Sequence, residues 1–217
     1  MHCLFDFDGT LFDTSEGIIA SSKYALDSMG IPYSSDRELS AFIGPPLMDT
    51  FMNRYNLNLE AAENAIKRFR EYYEKEGLYR CSPYPGMKET LSALRDQGIS
   101  TYVATSKPTV FTHAILERFH MLDCFDDVVG SNLDNSRSKK AEIIQYILEK
   151  NGIGDLQDVY MIGDKKQDMI GAQMVGTRFI GVLYGFGTKR EFLDSTLVCD
   201  TVSKLRQVIL TISLHRK

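Results

Sequence analysis

Short apolar runs alternate along the chain with segments whose apolar residues recur every three or four positions. His2 to Phe7 is a short, mostly apolar run that ends in an acidic, glycine-containing turn. Residues 99–105, ISTYVAT, follow Gly98 and are rich in β-branched and aromatic side chains, the composition of a strand. Further strands are predicted at 127–129, 158–163, 178–183 and 196–199. Between them, Met87, Leu91 and Leu94 mark one helical face, and Ile143, Ile144, Ile147 and Leu148 mark another. Residues 165–175 and 201–212 predict two more helices. Strand and helix alternating from residue 85 onward predict a parallel sheet covered on both faces.

Residues 15–82 break that rhythm. Ile18, Ile19, Ala25, Leu26 and Met29 stand at helical spacings, Gly44-Pro45-Pro46 interrupts, and a charged helical stretch runs from Leu59 to Glu76. About 68 residues separate the first strand from the Pro83-Tyr84-Pro85-Gly86 turn, far more than a connection inside one compact domain. The simplest reading is a small helical domain inserted after the first strand. Two long crossover helices packed on the sheet are the alternative.

Composition narrows the class. The chain has 217 residues, 43% hydrophobic and 25% charged, enough to bury a core without disulfides or a structural metal. With 25 basic against 29 acidic residues the net charge is -4, which gives no broad attraction for a nucleic-acid polymer. Cys3, Cys81, Cys124 and Cys199 show no CxxC spacing, and His2, His113, His120 and His215 show no ligand spacing. No apolar run approaches the length of a membrane span, and the opening MHCLFDFDGT is unlike a signal peptide. A cytoplasmic address is the expectation.

The densest polar feature is Asp6-Phe7-Asp8-Gly9-Thr10, at the end of the first apolar run. Strand alternation puts Asp6 and Asp8 on one side with Phe7 turned away. Two converging carboxylates repel unless a cation or a shared proton compensates. An ordinary acidic turn or helix cap is the plainer reading. A second cluster, Gly163-Asp164-Lys165-Lys166-Gln167-Asp168, also follows an apolar run directly. Asp164 and Asp168 are four apart and would share the first turn of a helix, where acids also act as simple caps. Together the two clusters offer hard oxygen ligands from two strand ends, suited to magnesium.

Taken with these clusters, the chain resembles the haloacid dehalogenase-type phosphohydrolases over its whole length. Asp6 to Thr14 (DFDGTLFDT) resembles the family's first motif, and Thr105 before Ser106-Lys107-Pro108 the second, with its hydroxyl following a strand. Lys140 within Ser138-Lys139-Lys140-Ala141-Glu142-Ile143-Ile144 resembles the third, and Gly163-Asp164 through Asp168 the fourth. Lys139 and Lys140 are adjacent, and the spacing to the following apolar pair favours Lys140. The TSKP and GDKKQDMIGA stretches are most similar to the phosphoglycolate phosphatase and 5'-nucleotidase-like branch.

The resemblance implies an α/β fold with a Rossmann-like parallel sheet core, at 1–14 and 83–217, and an all-helical cap at 15–82. It implies a magnesium-dependent phosphatase of small phosphomonoesters working through an aspartyl-phosphate. Asp6 would be the nucleophile, Asp8 the acid and base, and Thr105 and Lys140 would act on the phosphoryl group. Gly9, Thr105, Ser106 and Lys140 would bind phosphate, while Asp6, Asp8, Asp164 and Asp168 would hold the metal, Asp8 through its backbone carbonyl. Ser106 could equally cap a helix.

The implied partner is a small phosphorylated metabolite, with no nucleic acid and no membrane, in a monomer or homodimer. Asp8 argues against a dehalogenase, which lacks that second aspartate. A phosphosugar mutase, a pyrophosphatase and a non-enzymatic phosphate-binding module are the alternatives. Asp13 is assigned to shaping the turn and helix start after the first motif; Arg54, Lys67, Arg68 and Arg70 could offer a positive contact, with most of them assigned to exposed helix faces. The glycine-rich stretch 181–187, GVLYGFG, fits neither the Walker nor the Rossmann pattern and reads as a loop near the sheet edge.

Overall fold

The computed structural model describes residues 1–134, 136–193 and 196–215. The chain enters through β1 (His2–Phe5), whose Cys3, Leu4 and Phe5 are fully buried. A two-residue strand, β2 (Phe12–Asp13), leads into α1 (Ser15–Ser28), α2 (Asp36–Leu39), α3 (Leu47–Tyr55) and α4 (Leu59–Tyr72). A π-helical turn at Tyr73–Gly77 follows, and β3 (Ser82–Pro83) pairs with β2. Then come α5 (Met87–Asp96), β4 (Ser100–Pro108), α6 (Thr109–Arg118) and β5 (Asp127–Ser131). The remainder is α7 (Lys140–Lys150), β6 (Val159–Gly163), α8 (Lys166–Val175), β7 (Arg178–Val182), β8 (Leu197–Cys199) and α9 (Val202–Leu214).

Two compact units result, one of Met1–Phe12 with Pro83–Lys217 and one of Asp13–Ser82. The first is an α/β unit around a six-stranded sheet of order β5-β4-β1-β6-β7-β8, with every recorded pairing parallel. Leu4, Tyr102, Ala104, Val129, Val159 and Met161 on one face pack with Ile143, Ile144, Ile147 and Leu148 of α7 and Ala172 of α8. Fully burying such an aliphatic side chain is worth about 1.5–3 kcal/mol. Alternate positions, among them Cys3, Phe5 and Val103, point to the other face and are also fully buried. A sheet buried on both faces explains why its strands read as nearly continuous apolar runs.

The second unit is helical. Ala25 and Leu26 of α1 and Ala62, Ala65, Ile66 and Phe69 of α4 are buried, and the two helices pack against each other. Asn58 caps α4 by accepting from the Ala61 N–H at 2.9 Å.

Three features differ from the sequence reading. Helix α6 was not predicted, because buried Thr112 interrupts its apolar stripe of Phe111, Ile115 and Leu116. Strand β4 runs on to Pro108 through an irregular register after Ala104, so Thr105 lies inside the strand rather than after it. The short pair β2 and β3 carries too few residues to show a period. Among the described residues no helix is long and apolar enough to cross a membrane.

Candidate active site

The sheet order sets the place. From β1 the sheet continues through β4 and β5 on one side and through β6, β7 and β8 on the other. A crevice therefore opens beyond the carboxyl ends of β1 and β6, where the winding direction switches and open α/β sheets bind ligands. Asp6 directly follows β1, and its N–H donates to the Ile162 carbonyl of β6 at 2.8 Å. Asp164 directly follows β6, Asp168 lies in the first turn of α8, and Lys140 is the first residue of α7.

Asp6, Asp164 and Asp168 each bring a carboxylate oxygen within 4.8 Å of the others. All three are buried, at 3%, 0% and 1% exposure, so their mutual repulsion is poorly screened. One cation answers part of it. The Lys140 Nζ lies 2.7 Å from Asp6 Oδ1 and 2.9 Å from Asp168 Oδ1, and donates to the Ala104 carbonyl at 2.8 Å. Asp168 Oδ2 accepts from the Lys165 N–H at 3.0 Å, so this aspartate caps α8 and joins the cluster at once.

The electrostatics follow. Burial pushes the Asp6 carboxyl up against the pull of Lys140, and the Asp168 and Asp8 charges push the same way. Burial, then Asp168 and Asp6, push Asp164 up to about 8, opposed by the Phe186 N–H. Burial draws the Lys140 ammonium down, but Asp168 and Asp6 outweigh it and hold it above its ordinary value. Three carboxylates thus face one ammonium. Asp164 Oδ1 is also buried, with no hydrogen-bond partner among the described residues. An orphaned carboxylate oxygen among hard oxygen donors fits a divalent cation.

The other predicted residues are placed as follows. Asp8 is buried, but its carboxylate lies outside the three-carboxylate cluster and is held by Lys107, whose Nζ donates to Oδ1 at 2.9 Å and Oδ2 at 3.2 Å. Thr105 Oγ1 accepts from the Lys107 N–H at 3.2 Å, which leaves its own O–H to donate. Ser106 does not cap α6, whose N-cap position is Pro108; its hydroxyl donates to the Ser138 carbonyl at 2.9 Å. The Gly9 N–H is committed to the Phe12 carbonyl at 2.8 Å. Gly9 instead makes room: its φ is +84°, and a Cβ there would lie 2.4 Å from Asp164 Oδ2.

Two features escaped the sequence reading. Lys107 pairs with Asp8, 99 positions away, and lies beyond the strand predicted at 99–105. The 181–187 stretch is not a bystander at the sheet edge. Its Phe186 and Gly187 N–H groups donate to Asp164 Oδ2 at 2.8 and 3.1 Å. The available signal was a glycine pair, Gly185 and Gly187, just beyond the carboxyl end of a parallel strand.

Several known proteins are similar to this chain. A 5'-nucleotidase of Pseudomonas aeruginosa is 40% identical over 208 residues, covering 95% of this chain and 94% of that protein. A tyrosine-protein kinase PtkA of Mycobacterium bovis is 31% identical, over 95% of this chain and 71% of its own length. A phosphoglycolate phosphatase of Vibrio vulnificus is 26% identical, over 95% and 94%. The crystal structure of a predicted phosphatase from Clostridium acetobutylicum superposes with a TM-score of 0.94 at 41% identity, covering 97% of this chain and 98% of that one. Residues 3–182 match the pattern of the haloacid dehalogenase-like hydrolases, and the chain belongs to that family.

Proposed function

We propose that the protein is a magnesium-dependent phosphatase of small phosphomonoesters, of the phosphoglycolate or nucleoside monophosphate type, acting through an aspartyl-phosphate on Asp6. The observation that carries this reading is the buried Lys140 ammonium bridging Asp6 and Asp168 at 2.7 and 2.9 Å. A lysine so placed fixes the attacking carboxylate and offsets charge on a phosphoryl group arriving beside it.

In the first half-reaction an Asp6 carboxylate oxygen attacks phosphorus and the bond from phosphorus to the leaving oxygen breaks. The Asp8 carboxyl gives that oxygen its proton. In the second half, Asp8 takes a proton from water as the water oxygen attacks phosphorus. The bond between Asp6 and phosphorus breaks, phosphate leaves, and both aspartates return to their starting forms. Thr105 donates its free O–H to a phosphoryl oxygen, and Lys107 holds the Asp8 carboxylate between the two proton transfers. Asp6, Asp164 and the Asp8 backbone carbonyl, with Asp168 supporting, would hold magnesium, which would supply positive charge against the transferring phosphoryl group. The helical unit acts in this proposal as a cap that selects the leaving group.

The test is phosphate release from a panel of esters, including glycolate, nucleoside and sugar phosphates and pyrophosphate, with magnesium and again with chelator. Release from a small monoester that chelator abolishes is expected. Release from none of them, or release indifferent to chelator, overturns the reading.

A further inference from the structure

Asp164 is held in a way that divides the labour of its two oxygens. Oδ2 accepts two backbone N–H groups, from Phe186 at 2.8 Å and Gly187 at 3.1 Å. Oδ1 is buried and has no hydrogen-bond partner among the described residues. The residue is 0% exposed, so no water shell blurs this asymmetry. The loop that supplies the two donors is pressed against the aspartate. A Cβ at Gly187 would lie 1.6 Å from the Asp164 carbonyl oxygen, and one at Gly185 would lie 2.1 Å from the Gly9 carbonyl oxygen. The N–H groups are therefore fixed in place by close backbone packing.

Divalent cations differ in what they ask of a carboxylate. Magnesium requires near-octahedral geometry at about 2.0–2.1 Å and takes carboxylates through single oxygens. Calcium takes about 6–8 oxygens at longer range and often grips a carboxylate through both. For Asp164 to offer both oxygens, Oδ2 would have to leave two backbone donors without their acceptor.

We infer that the Gly185-Phe186-Gly187 loop is a cation-selectivity element: by occupying Asp164 Oδ2 it restricts this aspartate to one-oxygen coordination, which favours magnesium over calcium. The inference rests on the metal reading proposed above and adds a role for this loop. Fixed backbone donors keep this restriction whichever cation arrives.

The test is calorimetric titration of the substrate-free protein with magnesium chloride and, separately, calcium chloride. Wild type is compared with Phe186→Pro, which deletes one N–H donor, and with Phe186→Ala, which keeps it. Phe186 is not among the residues with positive φ, the region closed to proline. Wild type should bind magnesium more tightly than calcium. Phe186→Pro should shrink that preference by about tenfold or more, while Phe186→Ala should retain it. An unchanged preference in Phe186→Pro, with magnesium still bound, overturns this inference and leaves the metal reading standing. Wild type that binds neither cation overturns both.

Should Phe186→Pro fail to fold, a crystal structure of wild type soaked in calcium decides. One Asp164 oxygen on calcium, with Oδ2 still on the two N–H groups, is expected. A two-oxygen grip by Asp164 contradicts the inference.

Discussion

Replacing Lys140 with methionine keeps most of the side-chain stem and removes its charge. The ammonium lies 2.7 Å from Asp6 and 2.9 Å from Asp168, with a third bond to the Ala104 carbonyl at 2.8 Å. At an effective dielectric constant of about 20, each ion contact is a gross attraction of about 6 kcal/mol. Desolvation offsets much of that, and removing one partner of a buried pair costs about 3–5 kcal/mol in practice. Two carboxylates lose their counter-ion together, so the upper end of that range is expected. Set against a total stability of about 5–15 kcal/mol, the loss is severe. A divalent cation returns positive charge to the same carboxylates, so magnesium should recover part of it. The assay is urea unfolding of wild type and Lys140→Met, followed by circular dichroism, in chelator and in magnesium. A loss below about 1 kcal/mol in chelator, the value of an exposed pair, would refute the reasoning.

Three other outcomes follow from the same geometry. Asp6 and Asp164 are raised by burial and by neighbouring carboxylates, Asp164 to about 8, so the folded metal-free protein keeps protons that the unfolded chain has released. Their contribution to stability therefore falls as pH rises from about 4 through about 8. Unfolding midpoints in chelator should drop across that window, and drop less in Asp164→Asn; equal drops in both proteins contradict the assignment. Gly9→Ala sets an alanine at φ +84° with its Cβ 2.4 Å from Asp164 Oδ2. The backbone alone costs about 1–2 kcal/mol, so a fall in Tm of at least about 2–4 °C is expected, and an unchanged Tm counts against that packing. Lys107→Met leaves the buried Asp8 without its cation and should cost about 3–5 kcal/mol, partly restored by Lys107→Arg. Equal losses in the two variants would assign the effect to packing rather than charge.

Much of the core was legible because its strands are short, apolar and separated by amphipathic helices. The carboxylates were legible for a related reason: Asp6 and Asp164 each stand directly after such a run, and a strand end is visible in sequence. What stayed hidden was carried by groups that sequence patterns do not display. The donors on Asp164 Oδ2 are backbone N–H groups of Phe186 and Gly187, whose side chains say nothing about them. Lys107 received no role from the sequence because the strand predicted at 99–105 stops before it, whereas β4 extends to Pro108 through an irregular register after Ala104. Gly9 was assigned to phosphate binding, whereas its N–H is taken by Phe12 and its missing side chain makes space for Asp164. In α6, the polar but buried Thr112 masked a helix that packs on the sheet.

In the proposed reaction Asp6 carries the phosphoryl group between substrate and water. Rapid mixing of the enzyme with a phosphoryl-labelled ester and magnesium, followed by acid quench and peptide mass spectrometry, tests it most directly. Label is expected on Asp6 alone, forming and decaying fast enough to support turnover, with no label in Asp6→Asn. Steady turnover with no labelled protein, or with label on another residue, would contradict it.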